Sequence, residues 1–293
     1  MGLIMNIFDQ IKEDYRKMSK GHKKIADYIT ENYAKAAYLT AAKLGELTGV
    51  SESTVVRFAF ELGFEGYPEM ITAIRDYTGS KLTTIERISV MNDRIGADDA
   101  FEKILAMDID KLKKTLETAE KKEFYAAVDT LCGGQNIYVI GARSAAVLAR
   151  YASFYFNMMF ESVKLVHTTS TSEMFEQILS IGKSDVMIGM SFPRYSKHTV
   201  NAMKFAKESG AKVIGLTDST LSPIAEFSDN VLIAKSNLTS FADSLVAPMS
   251  VLNALIVAVG IRKQDYVEAN YKRMEEIYEK FEVYSASDKE EGR

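Results

Sequence analysis

The chain has 293 residues, of which 47% are hydrophobic and 26% charged, and its net charge is −4. That length favours two domains over one, and the composition excludes collagen-like, low-complexity and wholly disordered chains. A single cysteine, Cys132, excludes an internal disulfide framework, and His22, His167 and His198 stand at no metal-ligand spacing, so neither a metal nor a cofactor is expected.

Residues 5–17 and 22–34 carry helical periodicity, with Ile25, Ala26 and Ile29 on one apolar face. Acidic residues within the first fourteen positions, without a small-residue cleavage pattern, argue against a signal peptide. Residues 40–62 then read as two short helices joined by a tight turn. Thr40 and Ser51 are placed as caps, Gly49 as the left-handed residue ending the first helix, and Gly45 as the point of close approach. Leu44, Val50, Val55 and Phe58 are spaced to close a shared core. This is the layout of a helix-turn-helix, whose second helix lies in the DNA major groove.

On that second helix, Ser51, Glu52, Ser53, Val56, Arg57 and Phe60 fall opposite the Val55–Phe58–Leu62 stripe and form the candidate DNA-binding face. Arg57 is the strongest candidate, because its fork matches guanine O6/N7 or a phosphate pair. Residues 1–77 hold ten basic and eleven acidic residues, which gives no general attraction to phosphates. Lys12, Arg16, Lys17, Lys20, Lys23 and Lys24 nevertheless crowd into thirteen positions. Lys20 and Lys23 therefore join the candidate set, although such a cluster serves equally well as a solvated helix face. A helical hairpin packed on protein is the alternative that spacing alone leaves open.

Gly63 ends the second helix and Pro68 opens another, which makes residues 1–77 an all-α domain of about five helices. Residues 78–97, with Gly79, Ser80 and Gly96, read as a linker with room for one short helical piece. Helices are expected over Asp98–Lys121 and Lys122–Leu131. From Asn136 five apolar, β-branched runs (136–141, 163–167, 185–190, 212–217 and 230–235) alternate with helical segments. That alternation predicts an α/β domain over residues 98–285, with a five-stranded parallel sheet covered on both faces. Helices over Phe241–Ile261 and Gln264–Glu282 close it, and residues 286–293 read as a disordered tail. Leu245–Ile261 is interrupted by Pro248, Ser250 and Asn253, so it reads as a buried or subunit-interface helix rather than a membrane span. A cytoplasmic protein with no membrane partner is expected.

Two strand-to-helix turns of the second domain carry candidate ligand chemistry. After the first strand come Gly141, Arg143 and Ser144, where the glycine allows a ligand close to the backbone and the helix N-terminus favours an anion. After the third strand come Ser191, Arg194, Tyr195, Ser196 and Lys197, a second polar, cationic turn. Each also works as an ordinary helix cap; together they suggest one small anionic ligand. Ser222 with Pro223 reads as a structural cap, and His198 as an exposed or capping residue. No residue grouping suggests catalysis, so no catalytic residue is assigned.

The stretches KIADYITENY and LTAAKLGELTGVSESTVVRFAFELGFEGYPEM resemble the N-terminal domain of the RpiR family of bacterial transcription regulators. The second half, with GARSA, TDS and SP, resembles the SIS (sugar isomerase) domain of that family, an αβα sandwich that binds phosphosugars. The resemblance implies a homodimer or homotetramer that binds palindromic operator DNA, with a phosphorylated sugar altering its affinity. It implies that Ser144 takes the place of the first ligand serine and Ser191 that of the first serine in a Ser-x-Ser-Gly-x-Thr phosphate loop. Here Pro193 and Arg194 stand where Ser-Gly is expected, with Ser196 at the threonine place. The alternative is an aldose–ketose sugar-phosphate isomerase with an accessory helical domain, for which only His167, Glu173 and His198 lie near the loops as bases.

Overall fold

Three hydroxyl side chains set where the early helices begin. Ser19 accepts from the His22 amide, Thr40 from the Lys43 amide and Ser51 from the Thr54 amide, each at 3.2 Å. These bonds satisfy donors that every helix start leaves open. In the computed structural model, which describes residues 7–81, 83–95, 99–236 and 242–283, they open α2 (Lys20–Glu31), α4 (Ala41–Thr48) and α5 (Glu52–Glu61). α1 (Ile7–Asp14) precedes them, α3 (Tyr33–Ala36) lies between α2 and α4, and α6 (Tyr67–Lys81) follows. Ile25, Ile29, Leu44, Val55, Phe58, Met70 and Ile74 meet in one fully buried core. Long-range bonds tie the bundle: Gln10 Nε2 donates to the Leu62 carbonyl at 2.6 Å, and the Tyr67 hydroxyl to that of Leu39 at 2.9 Å.

The chain divides into two compact units, residues 1–104 with 237–243 and residues 105–236 with 244–293. The stretch 78–97, expected as a linker with at most a short helical piece, is mostly helical where described. α6 runs through Lys81, and α7 (Thr84–Ile95) fills most of the remainder. The cause is a capping box: the Thr83 amide donates to Glu86 Oε2 at 2.7 Å while Thr83 Oγ1 accepts from the Glu86 amide at 3.3 Å. Glu86 also accepts from the Tyr33 hydroxyl at 2.9 Å, and buried Arg87 pairs with Asp243 at 3.0 Å.

In the second unit α8 (Ala100–Thr118, begun in the first) and α9 (Lys121–Cys132) lead into the sheet. Its strands are β1 (Ile137–Gly141), β2 (Val163–Val166), β3 (Val186–Met190), β4 (Lys212–Thr217) and β5 (Asn230–Ile233), all parallel, in the order β2-β1-β3-β4-β5. The crossovers carry α10 (Ala145–Phe156), α11 (Thr171–Ile178) and α12 (Lys197–Glu208); α13 (Val246–Arg262) and α14 (Gln264–Lys280) complete the unit. Strand alternation feeds two cores: Ile137, Val139, Ile188 and Leu216 pack with α9, α10 and α13, while Tyr138, Ile140, Met187 and Val213 pack with α11 and α12. Gly189 lets α12 close on the sheet, since a Cβ there would lie 2.1 Å from Met203 Sδ. The expected helix over 241–261 begins at Val246, and Phe241 and the expected tail 286–293 lie outside the described residues. Among the described residues no single helix is long and apolar enough to cross a membrane.

Candidate nucleic-acid interface and ligand crevice

The two helices of the motif are held by backbone contact. Gly49 adopts φ 68° at the end of α4, and the Val50 amide donates to the Gly45 carbonyl at 2.9 Å. A Cβ on Gly45 would lie 2.8 Å from the Val50 carbonyl oxygen, so only glycine fits without a backbone shift. This fixes α5 with Ser51, Glu52, Ser53, Arg57 and Phe60 exposed. Val56 is half-buried and packs on the bundle core, so it gives only part of its side chain to the outer face. Ser51 Oγ lies within hydrogen-bond distance of both Ser53 Oγ and Thr54 Oγ1 (2.9 and 2.8 Å), and Arg57 Nε donates to the Ser53 carbonyl at 3.2 Å.

The start of α2 abuts the first turn of α5: a Cβ on Gly21 would touch Thr54 Cγ2 at 3.5 Å and Val50 Cγ1 at 3.6 Å. Lys20 is exposed there, whereas Lys23 is half-buried with its ammonium 5.5 Å from the Tyr15 ring centroid. Lys24, absent from the candidate set, reaches the motif's turn, with Nζ 4.0 Å from the place of a Cβ on Gly49. Its signal in the sequence is the spacing of four from Lys20, which puts both on one helix face. Behind this face His22 Nδ1 lies 2.6 Å from Glu61 Oε2, out of line for a hydrogen bond.

In the second unit the strand order reverses between β1 and β3, whose ends pair in register at Gly141 and Met190. Such a reversal opens a crevice at the carboxyl ends of the strands. The turns with Arg143 and Ser144 and with Ser191–Ser196 therefore flank one crevice. Gly141 is also required by packing: a Cβ there would lie 2.5 Å from the Ala145 carbonyl oxygen, so the glycine admits the first turn of α10. Ser144 precedes α10 without a capping side-chain bond.

Ser191 is buried, and its Oγ accepts from the Ser196 amide at 3.2 Å. Ser196 caps α12 by accepting from the Thr199 amide at 3.5 Å, and the Tyr195 hydroxyl donates to Asp218 Oδ1 at 2.9 Å. Arg143 and Arg194 are exposed and adopt left-handed backbone, with φ of 58° and 66°. Holding a non-glycine residue there costs on the order of 1–3 kcal/mol, and such strain gathers at ligand clamps.

Three polar atoms, His198 Nε2, Thr199 Oγ1 and Ser222 Oγ, are buried with no partner among the described residues. His198 is thus half-buried rather than exposed. Ser222 caps no helix, because the short 3-10 turn after it starts at Ala225. Of the residues that could act as isomerase bases, His167 Nε2 lies 2.9 Å from Arg150 Nη2 and Glu173 takes a hydrogen bond from Thr168, whereas His198 Nε2 has no partner among the described residues. No group of three or more His, Cys, Asp or Glu among the described residues could hold a metal.

Comparison with known proteins places this geometry. Residues 5–81 match the model described as the helix-turn-helix domain of the rpiR family, and residues 131–258 match the SIS domain. An HTH-type transcriptional regulator of Haemophilus influenzae is 26% identical over 92% of this chain and 94% of its own length. The regulator HexR of Pseudomonas aeruginosa is 25% identical over 92% of this chain and 95% of its own. Among solved structures, the sugar isomerase domain of an RpiR transcription factor from Sphaerobacter thermophilus superposes with TM-score 0.56 at 26% identity, covering 59% of this chain and 97% of that one. The Vibrio vulnificus NanR protein, complexed with ManNAc-6P, superposes with TM-score 0.57 at 20% identity over 94% of this chain and 99% of that one.

Proposed function

The chain belongs to the rpiR family of helix-turn-helix transcriptional regulators with a SIS domain, and from that premise we propose that it binds operator DNA through α5 and senses a phosphorylated sugar or related small anionic metabolite. The observation that carries the sensing half is the strand reversal at β1 and β3, which sets both cationic turns on one crevice. Ligand bound there favours one arrangement of the DNA-binding units over another, so operator affinity changes by the ligand's differential affinity for the two states. The complex of NanR with ManNAc-6P makes that ligand class the first to try. Regulation is supported by the HTH-type transcriptional regulators that the chain resembles over about nine-tenths of its length.

Operator binding as a homodimer or homotetramer is supported by two helices of the second unit. α13 is apolar nearly all round, yet Val257 and Ile261 are 53% and 68% exposed. α8 buries the polar residues Lys111 and Thr115 and presents Leu105, Ile109 and Leu116 to the outside. With Leu112 these are spaced 4-3-4, the seam pattern of paired helices.

The test is a thermal-shift screen of the full chain against a panel of phosphosugars, followed by operator titration with every compound that binds. A ligand of the folded state raises the melting temperature, by mass action, and should also change operator affinity. A panel in which no phosphosugar does either would overturn the sensing role, and turnover of one to its isomer would establish the enzyme instead.

A further inference from the structure

The helix-turn-helix stretch 40–62 carries three acidic residues, Glu46, Glu52 and Glu61. Two have a basic neighbour: Lys43 Nζ pairs with Glu46 Oε2 at 2.8 Å, and His22 Nδ1 lies 2.6 Å from Glu61 Oε2. Glu52 stands exposed on the outer face of α5, and its carboxylate makes no hydrogen bond or ion pair among the described residues. It is the first residue of α5, where a negative charge favours the helix start through the dipole. That gain is opposed by repulsion from DNA phosphates, since residues at this end of a recognition helix enter the major groove. Arg57 reaches the same end. Its Nε donates to the Ser53 carbonyl at 3.2 Å, so the side chain folds back one turn towards the helix N-terminus. The two terminal nitrogens of its fork have no partner among the described residues. A donor fork and an acceptor pair thus stand within one turn of each other on α5, and no ion pair joins them.

In the major groove a G·C pair shows two adjacent acceptors, guanine N7 and O6, and one donor, the cytosine N4 amino group. A guanidinium fork matches the acceptors and a carboxylate matches the donor. In an A·T pair the adenine N6 donor separates the two acceptors, so the fork finds no adjacent pair. Resting on the DNA-binding role proposed above, we infer that Glu52 is a specificity-determining residue that selects cytosine, and that with Arg57 it reads one G·C pair or two neighbouring ones. The cytosine amino group supplies the donor that the Glu52 carboxylate lacks in the free protein. Over thymine or guanine the carboxylate faces acceptors instead, and the surrounding phosphates repel it. Glu52 therefore acts as much by rejecting wrong sequences as by holding the right one.

The experiment uses the full chain and a duplex that it selects from a random library. Each C·G pair of that duplex is replaced in turn by T·A, and binding is read by fluorescence anisotropy at fixed salt. One replacement should weaken the wild type roughly tenfold or more. Glu52→Ala should bring that loss below about threefold and, with an acidic charge removed, should bind a poly(dA-dT) duplex more tightly than the wild type does. Arg57→Ala should relax the same pair or its immediate neighbour. If Glu52 served the helix start alone, Glu52→Ala would lower the melting temperature and weaken all duplexes in parallel, with every base preference as in the wild type. That result, or a wild type indifferent to every replacement, would overturn the inference and leave the DNA-binding role standing. Relaxation by the two variants at pairs that are not neighbours would overturn the shared reading. A library from which no duplex is enriched would overturn the DNA-binding role and the inference with it.

Discussion

Replacing Gly45 by alanine tests whether the turn geometry, rather than helix propensity, governs the motif. Alanine inside a helix is favoured over glycine by up to about 1 kcal/mol, so propensity alone predicts a more stable protein. The added Cβ, however, would lie 2.8 Å from the Val50 carbonyl oxygen, 3.3 Å from the Glu52 nitrogen and 3.4 Å from the Ser51 carbonyl carbon. All three neighbours are backbone, so no side-chain rotation relieves the contact. Forcing an extra methyl into such a space costs about 1–3 kcal/mol, which leaves a net loss of about 1 kcal/mol. For a unit of about a hundred residues that lowers the transition by roughly 4–8 °C. The relief must move the start of α5, so operator affinity should fall beyond what stability alone explains. Gly21→Ala is the matched control, because its new Cβ meets nothing closer than 3.5 Å; it should leave the transition unchanged or raise it slightly. Scanning calorimetry of the full chain, with fluorescence anisotropy on a duplex selected from a random library, reads both effects. If Gly45→Ala behaved like Gly21→Ala in both assays, the close approach of α4 and α5 would not be what limits this position.

Arg57→Ala should weaken binding to the selected duplex by roughly 5–150-fold, about 1–3 kcal/mol, with the calorimetric transition unmoved because the side chain is exposed. Equal affinity at matched salt would remove Arg57 from the interface. Burial pushes the Tyr67 phenol up to about 12, so the folded state holds this proton more tightly than the unfolded chain. The stability it supports is fully present below about pH 10 and is lost as the pH rises towards about 12. Denaturant titrations of the wild type and of Tyr67→Phe across that window should diverge, with the variant losing less; parallel curves would show that this phenol does not govern the alkaline loss.

What could be read in the sequence was local. Thr40, Ser51, Gly45 and Gly49 act within a few residues of themselves, so spacing revealed their roles, and the short apolar, β-branched runs from Asn136 revealed the strands. The helix α7 was concealed because Gly79, Ser80 and two threonines look like punctuation, although Thr83 with Glu86 is a cap. Its other supports, Tyr33 on Glu86 and Asp243 on Arg87, come from 53 and 156 positions away. Gly141 was legible as a point of close approach, but not what approaches it, since a strand-end glycine admits a ligand or the first turn of a helix equally well. Left-handed arginines are invisible to pattern reading, because positive φ is normally signalled by glycine or asparagine.

That last case bears on how the turn after β3 departs from the expected phosphate-loop pattern. If the turn after β3 needed only a cation, Arg194 could have supplied it from relaxed backbone elsewhere in the loop. Instead it occupies the place where the family motif carries glycine, and it adopts the left-handed conformation, φ 66°, that glycine reaches without cost. The neighbouring bonds account for the persistence of that shape: the Ser196 amide on Ser191 Oγ, the Thr199 amide on Ser196 Oγ and the Tyr195 hydroxyl on Asp218 pin the chain on the far side of the turn. The conformation is thus imposed by the scaffold of β3, β4 and α12, and the arginine is an addition to it. A charge was placed on a shape already fixed, and the same reasoning extends to Arg143 at φ 58° across the crevice. In the sensing role proposed above, both arginines would offer an anion a cation carried on a backbone that the scaffold already holds in place.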